Sequence, residues 1–280
     1  MPGKEQIIDN IKNYIEELSL KRFPHVTRIQ DTEGFDGIYY KKIPYNVRNE
    51  VVWDNEGFSL FEPDSLWGGS DQHYYFRFTF KVPEKYDGKP LLMFVSTGAD
   101  DIWNTDNPQL MIYVNRELAC AMDMNHDHVI LSECAHAGDE YEIGIYAYSN
   151  TEASTNSLGI KLTSKDEDAI RIYYDLETPF EVLQNLPEDD QNQTILLETL
   201  ERAISLKPED ISKYLLDNLY GKNIHKATVK SVGHTHIDVA WKWPLRQTRE
   251  KVIRSWTNVL NLMDRYPEYK FMASTPQLYE

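Results

Sequence analysis

The chain has 280 residues, 41% of them hydrophobic, which is enough for two domains with cores of their own and excludes a wholly disordered polypeptide. Its 45 acidic against 29 basic residues give a formal charge of −16, which repels phosphate backbones and anionic bilayers, so neither nucleic acid nor a membrane is an expected partner. Two cysteines, Cys120 and Cys134, make no disulfide framework. With no continuous apolar core of a secretion signal in Met1–Asp9 and no long apolar span elsewhere, they point to a soluble protein of the reducing cytoplasm.

The first element is an amphipathic helix over residues 4–22, because Ile7, Ile8, Ile11, Tyr14, Ile15 and Leu18 share one face before Pro24 stops it. From Ile38 to Tyr148 the period is two. Tyr74, Phe76, Phe78, Phe80 and Val82 alternate with Tyr75, Arg77, Thr79 and Lys81, and Leu91–Val95, Leu110–Val114 and Tyr141–Tyr148 are further strands. Turn-rich stretches at 86–90 and 137–139 separate them, so residues 25–184 are expected to form a mostly antiparallel β-sandwich or jelly roll.

Helical spacing returns with Leu196, Leu197, Leu200 and Ile204. Pro208 opens a second helix that runs to about Leu219, with Gly221 as its C-cap, and residues 185–226 read as a helical connector. Residues 227–280 then give strand, helix and strand, at Ala227–Gly233, Leu245–Tyr266 and Tyr269–Ala273. That order is a βαβ unit and the start of a parallel sheet or barrel, left incomplete by the lack of a closing helix. Charge divides with the elements: residues 223–280 hold nine basic and five acidic side chains, so the excess of acid lies in residues 1–222.

The densest chemistry is Val232-Gly233-His234-Thr235-His236-Ile237-Asp238-Val239-Ala240-Trp241, at the carboxyl end of the first predicted parallel strand, where α/β sheets and barrels place their sites. Two imidazoles and a carboxylate at alternate positions suit a divalent ion such as zinc. The spacing also resembles metallo-β-lactamases, against which Val239 counts because a histidine stands there in that superfamily, and amidohydrolases, which spacing leaves open. The string Asn125-His126-Asp127-His128 lies between strands with no third donor nearby and reads as a solvated loop.

The run from His234 to Trp241, with Leu245–Lys251, Arg254-Ser255, Met263, Tyr266–Phe271 and Pro276–Glu280, resembles the start of the catalytic domain of α-mannosidases of glycoside hydrolase family 38. Trp67-Gly68-Gly69, the Tyr74–Val82 strand and Gly138-Asp139-Glu140 are similar, more weakly, to the β-domain that precedes that barrel. Val239-Ala240, in place of the Pro-Gly pair of the Golgi and lysosomal branch, is similar to the vacuolar/cytosolic-like bacterial branch.

The resemblance implies that His236 and Asp238 are zinc ligands, that Trp241 lies against the mannose, and that His234 orients the site. It also implies retaining hydrolysis of α-linked mannose from oligosaccharides, with the nucleophile, the acid/base and the other ligands beyond Glu280. This chain alone is then expected to be inactive and to hold zinc weakly or not at all. Its partners would be an α-mannoside oligosaccharide, the rest of the catalytic domain and, if the β-domain self-associates, a second copy. Two alternatives stay open: a stand-alone carbohydrate-binding or oligomer-forming β-module, and an amidohydrolase-type metal hydrolase. For the module, Tyr39-Tyr40, Tyr74-Tyr75, Trp53, Trp67 and Trp103 would have to stack on sugars, although packing the sandwich is their simpler use.

Overall fold

The computed structural model describes residues 3–45, 53–54, 56–99, 108–187, 189–220, 229–241 and 243–279. The chain divides into two compact units, Met1–His25 with Ser164–Val229 and Val26–Thr163 with Lys230–Glu280.

The first unit is helical: α1 (Lys4–Lys21), α2 (Glu167–Asn185), α3 (Gln191–Ile204) and α4 (Pro208–Leu215), the last running into a π-turn at Leu216–Tyr220. Ile11, Ile15 and Leu18 of α1 share a core with Ile172, Leu176 and Phe180 of α2 and Leu196 and Leu200 of α3, because apolar residues three and four apart line one face. Asp166 caps α2 by accepting from the Ala169 amide at 3.0 Å, and Asp190 caps α3 by accepting from the Asn192 amide at 2.7 Å. Pro208 stands at the first turn of α4, as its fixed φ favours. Pro179 lies inside α2, where it has no amide hydrogen for the Asp175 carbonyl; the Tyr220 hydroxyl donates to that carbonyl instead, at 2.9 Å.

Residues 167–184, which the expected sandwich span 25–184 takes in, are therefore helix. The β-branched and aromatic run Ile170–Tyr174 resembles a strand locally, but the Asp166 cap and the shared core with α1 decide for helix. The predicted C-cap Gly221 and the predicted strand start at 227–228 lie outside the described residues.

The second unit contains two antiparallel sheets. One has the order β1 (Thr27–Arg28), β10 (Gly159–Thr163), β5 (Leu91–Ser96), β8 (His128–Ser132). The other runs β3 (Ser59–Phe61), β2 (Ile38–Ile43), β4 (Gln72–Lys81), β9 (Glu140–Ser149), β6 (Gln109–Val114), β7 (Glu117–Met122). The mostly antiparallel architecture agrees with the sequence pattern.

Phe76, Phe78 and Phe80 of β4 and Ile143 and Ile145 of β9 share the core with Leu91 and Met93 of β5 and Leu162 of β10. Gly88 and Gly138 take positive φ, 70° and 85°, in the predicted turns. Trp67 and Tyr74 are packed edge to face in this core at 5.5 Å, while Trp103 lies outside the described residues.

The alternation in β4 predicts one solvated face, yet Tyr75 there is buried with Met111, Tyr113 and Tyr146. The cover is α5 (Leu245–Arg265), whose Ile253 packs on this patch. Among the described residues, no helix is long and apolar enough to cross a membrane, and both cysteines are free thiols.

Candidate metal-binding site

Gly233 pairs in parallel with Phe271: its amide donates to the Lys270 carbonyl at 2.7 Å and its carbonyl accepts from the Met272 amide at 2.9 Å. A Cβ on residue 233 would stand 2.1 Å from the Tyr269 hydroxyl, so a larger residue there would have to displace that ring. With α5 between the two segments, the order and direction are those of the predicted βαβ unit, reduced to one bridge.

Beyond Gly233 the side chains alternate. Ile237 is buried, while His236 Nε2 lies 3.0 Å from Asp238 Oδ1 and their side chains are 76% and 44% exposed. His234 is not part of this pair; its Nε2 lies 3.4 Å from Ser274 Oγ. Trp241 is exposed and meets Trp243 edge to face at 5.5 Å. The loop is fixed to the first turn of α5 by Thr248, whose hydroxyl donates to the Val239 carbonyl and accepts from Trp243 Nε1 at 3.3 Å.

His236 and Asp238 are chemically apt zinc donors, but a zinc site needs three or four protein ligands. Among the described residues no three His, Cys, Asp or Glu groups converge as a metal site. The two residues by themselves fall short of such a ligand set.

A cavity of about 410 Å³ opens beside the pair, lined by Asp123, His126, His234, His236, Lys251 and Asn258 among others. His126 is engaged by Asp123, Nδ1 to Oδ1 at 3.2 Å, and that hydrogen bond raises its pKa. His128 pairs with Asp127 at 2.9 Å and stacks on Phe94, so the 125–128 string does not converge on one point. Lys251 has its Nζ 4.1 Å from the centre of the Trp243 ring, and burial, aided by the Arg254 charge, pulls its pKa down to about 8.

Sequence reasoning missed a buried polar cluster under α5. The Tyr146 hydroxyl donates to Glu250 Oε1 at 3.0 Å and stands 2.7 Å from His73 Nδ1. Arg254 Nη1 lies 3.5 Å from Glu250 Oε2, and Arg254 also donates to Gln109. At the start of α5, Arg246 pairs with Asp71.

Burial is the main reason that His73 is held down to about 4, with the Arg246 and Arg254 charges adding to it and Asp71 opposing. Its low pKa leaves His73 neutral near pH 7, and because the Tyr146 hydroxyl uses its hydrogen on Glu250, the imidazole is assigned the tautomer that gives Tyr146 the hydrogen on Nδ1. The pattern could have indicated only that Glu250 and Arg254 form an i,i+4 pair, which on most helices faces water.

A pH dependence follows. A depressed histidine contributes stability that is present above its unfolded value of 6.5 and is lost as pH falls toward the folded value of about 4. Between pH 7.5 and 4.5 the stability lead of the wild-type chain over His73→Gln should shrink by about 2–3 kcal/mol in urea unfolding, at about 1.4 kcal/mol per pKa unit. A lead that is constant across that range would contradict a neutral, buried His73.

Comparison with known proteins adds identity to this geometry. Residues 226–280 match the model described as glycosyl hydrolases family 38 N-terminal domain. The chain is similar to Alpha-mannosidase of Saccharomyces cerevisiae, 46% identical over 66 residues, which is 24% of this chain and 5% of that protein. It is also similar to Alpha-mannosidase 2C1 of Mus musculus, 25% identical over 266 residues, 86% of this chain and 24% of that protein. The chain thus spans about a quarter or less of the length of these relatives.

Among solved structures, a putative beta-galactosidase from Bacteroides fragilis aligns over 50% of this chain and 23% of its own, at 17% identity and a TM-score of 0.32. The segment that carries Gly233, His236, Asp238 and α5 is the one that matches the family 38 model, as the motif resemblance leads one to expect.

Proposed function

We propose that this chain is the N-terminal part of a zinc-dependent, retaining α-mannosidase that hydrolyses α-linked mannose from oligosaccharides in the cytoplasm. The observation that carries the reading is the adjacent His236–Asp238 pair just past the Gly233–Phe271 bridge, within the stretch that matches family 38. In this reading residues 227–280 begin an α/β barrel. His236 and Asp238 are two of the zinc ligands, His234 steadies the loop, and Trp241 offers an exposed ring face to the sugar. Zinc, when bound with a full ligand set, supplies Lewis-acid and template chemistry.

The remaining ligands and the two carboxylates of a retaining glycosidase come from farther along the polypeptide in this reading. Residues 1–280 alone are then inactive and bind zinc weakly. Buried aromatics favour the enzyme over a stand-alone sugar-binding module: Trp67, Tyr74 and Tyr75 are in the interior, used in packing. Free thiols at Cys120 and Cys134 suit a reducing compartment.

The test is hydrolysis of an aryl α-mannoside by the natural protein, stripped of metal and then resupplied. Activity that returns with zinc, and is absent from the 280-residue chain under the same conditions, is the expected result. A zinc-reconstituted natural protein that hydrolyses no α-mannoside would overturn the proposal.

A further inference from the structure

The β-sandwich is attached to α5 more elaborately than packing alone requires. One attachment is at strand β7, the edge of its sheet, where Asn258 forms a two-point contact with Ala121. Its Oδ1 accepts from the Ala121 amide at 2.9 Å and its Nδ2 donates to the Ala121 carbonyl at 3.0 Å. Asn261 adds a bond to the Ala119 carbonyl at 2.6 Å. These amides satisfy an edge that would otherwise present unpaired backbone groups.

The other attachment is the buried series His73, Tyr146, Glu250. His73 and Glu250 are 3% and 0% exposed, so the series is shielded from water and its geometry is specified by the three elements that carry it, β4, β9 and α5.

The series leads toward the loop. Glu250 is two residues from Thr248, which holds the Val239 carbonyl and Trp243. Val239 directly follows Asp238 and is two residues before Trp241. Turning or sliding the first turns of α5 would therefore carry the loop with it.

We propose that His73 and Tyr146, on strands β4 and β9 of the sandwich, are positioning residues for the His236–Asp238–Trp241 loop, acting through Glu250 and Thr248 on α5. The sandwich is then a jig for the site. This inference rests on the reading that the loop is functional, but its physical content is a coupling across about three side chains that can be measured without substrate or metal.

The test replaces the six tryptophans of the 280-residue chain with fluorotryptophan and follows their fluorine resonances, each assigned by a Trp→Phe variant. Tyr146→Phe removes the hydroxyl and keeps the ring; Glu250→Gln approaches the same contact from the helix. Each is expected to shift the Trp241 and Trp243 signals, to leave that of the core residue Trp67 in place, and to speed amide exchange in the first turns of α5 by about tenfold or more.

The double variant should shift the signals no further than one single variant does. Thr248→Val should move the Trp241 and Trp243 signals while α5 exchange stays slow. Trp241 and Trp243 signals that do not respond to Tyr146→Phe and Glu250→Gln would overturn the proposal, as would a Trp67 signal that moves with them, because the variants would then loosen the sandwich as a whole. Failure of the mannosidase reading would show separately, as absent hydrolysis with the coupling intact.

Discussion

On the proposed α-mannosidase reading, replacing Asp238 with alanine in the natural protein is expected to lower α-mannoside hydrolysis by about three orders of magnitude and to abolish stoichiometric zinc binding. The several kcal/mol that a Lewis acid contributes convert to a factor of that size. A zinc site with three or four ligands cannot lose one without losing most of its affinity, and Asp238 is one of the only two adjacent donors in the described loop. His236→Ala should match it, because the pair shares one contact at 3.0 Å.

Two neighbouring histidines serve as controls. His234→Ala, which removes a group set against Ser274, should cost about 10–100-fold as the loss of an orienting contact. His126→Ala should change kcat/KM little, since Asp123 already occupies that imidazole. Metal content by elemental analysis and kcat/KM on an aryl α-mannoside check all four. Wild-type turnover with zinc retained in Asp238→Ala would remove Asp238 from the ligand set.

What could be read from the residues depended on how local the cause was. Strand β4 was legible because alternation in Tyr74–Val82 is a property of consecutive residues, and so was Pro208, whose preference for a first turn needs no distant partner. The motif was legible for the same reason: His234, His236 and Asp238 sit within five positions.

Other features depended on partners far away in the chain. α2 took its helical state from a core shared with α1, more than a hundred residues earlier in the sequence. The second buried face of β4 came from α5, and nothing near Tyr75 announces that Ile253 will cover it. α5 itself shows the limit well. Its apolar residues Val252, Trp256, Val259, Leu260 and Met263 predict the buried side, yet Gln247, Thr248, Glu250 and Arg254 are the buried ones and Leu260 is exposed. A polar face can be the covered face when the surface opposite it carries Tyr146, His73 and a strand edge to pair with.

That inversion makes Arg254→Met the substitution with the largest expected effect on stability. Glu250 is fully buried and Arg254 is 7% exposed, and burial pushes the carboxyl pKa up and the guanidinium pKa down. Against that burial each charge is the other's main favourable partner, and Tyr146 adds a hydrogen bond to the carboxyl group. Methionine fills much of the volume of arginine but leaves the carboxylate unpaired, which costs about 3–5 kcal/mol for a buried pair broken from one side.

The loss should depend on pH with a definite sign. A carboxyl whose folded pKa is raised loses stability as pH rises through that pKa, and removing Arg254 raises it further, so the deficit should be larger at pH 8 than at pH 5. Adding Glu250→Gln to Arg254→Met removes the unpaired charge, at the lesser cost of exchanging the charge-assisted bond from Tyr146 for a weaker one to an amide, so the double variant should recover most of the loss. Urea unfolding at the two pH values measures all three chains. A single-variant cost below about 1 kcal/mol, the range of an exposed pair, or a double variant that equals the sum of its parts, would show that the two charges are not a buried pair at all.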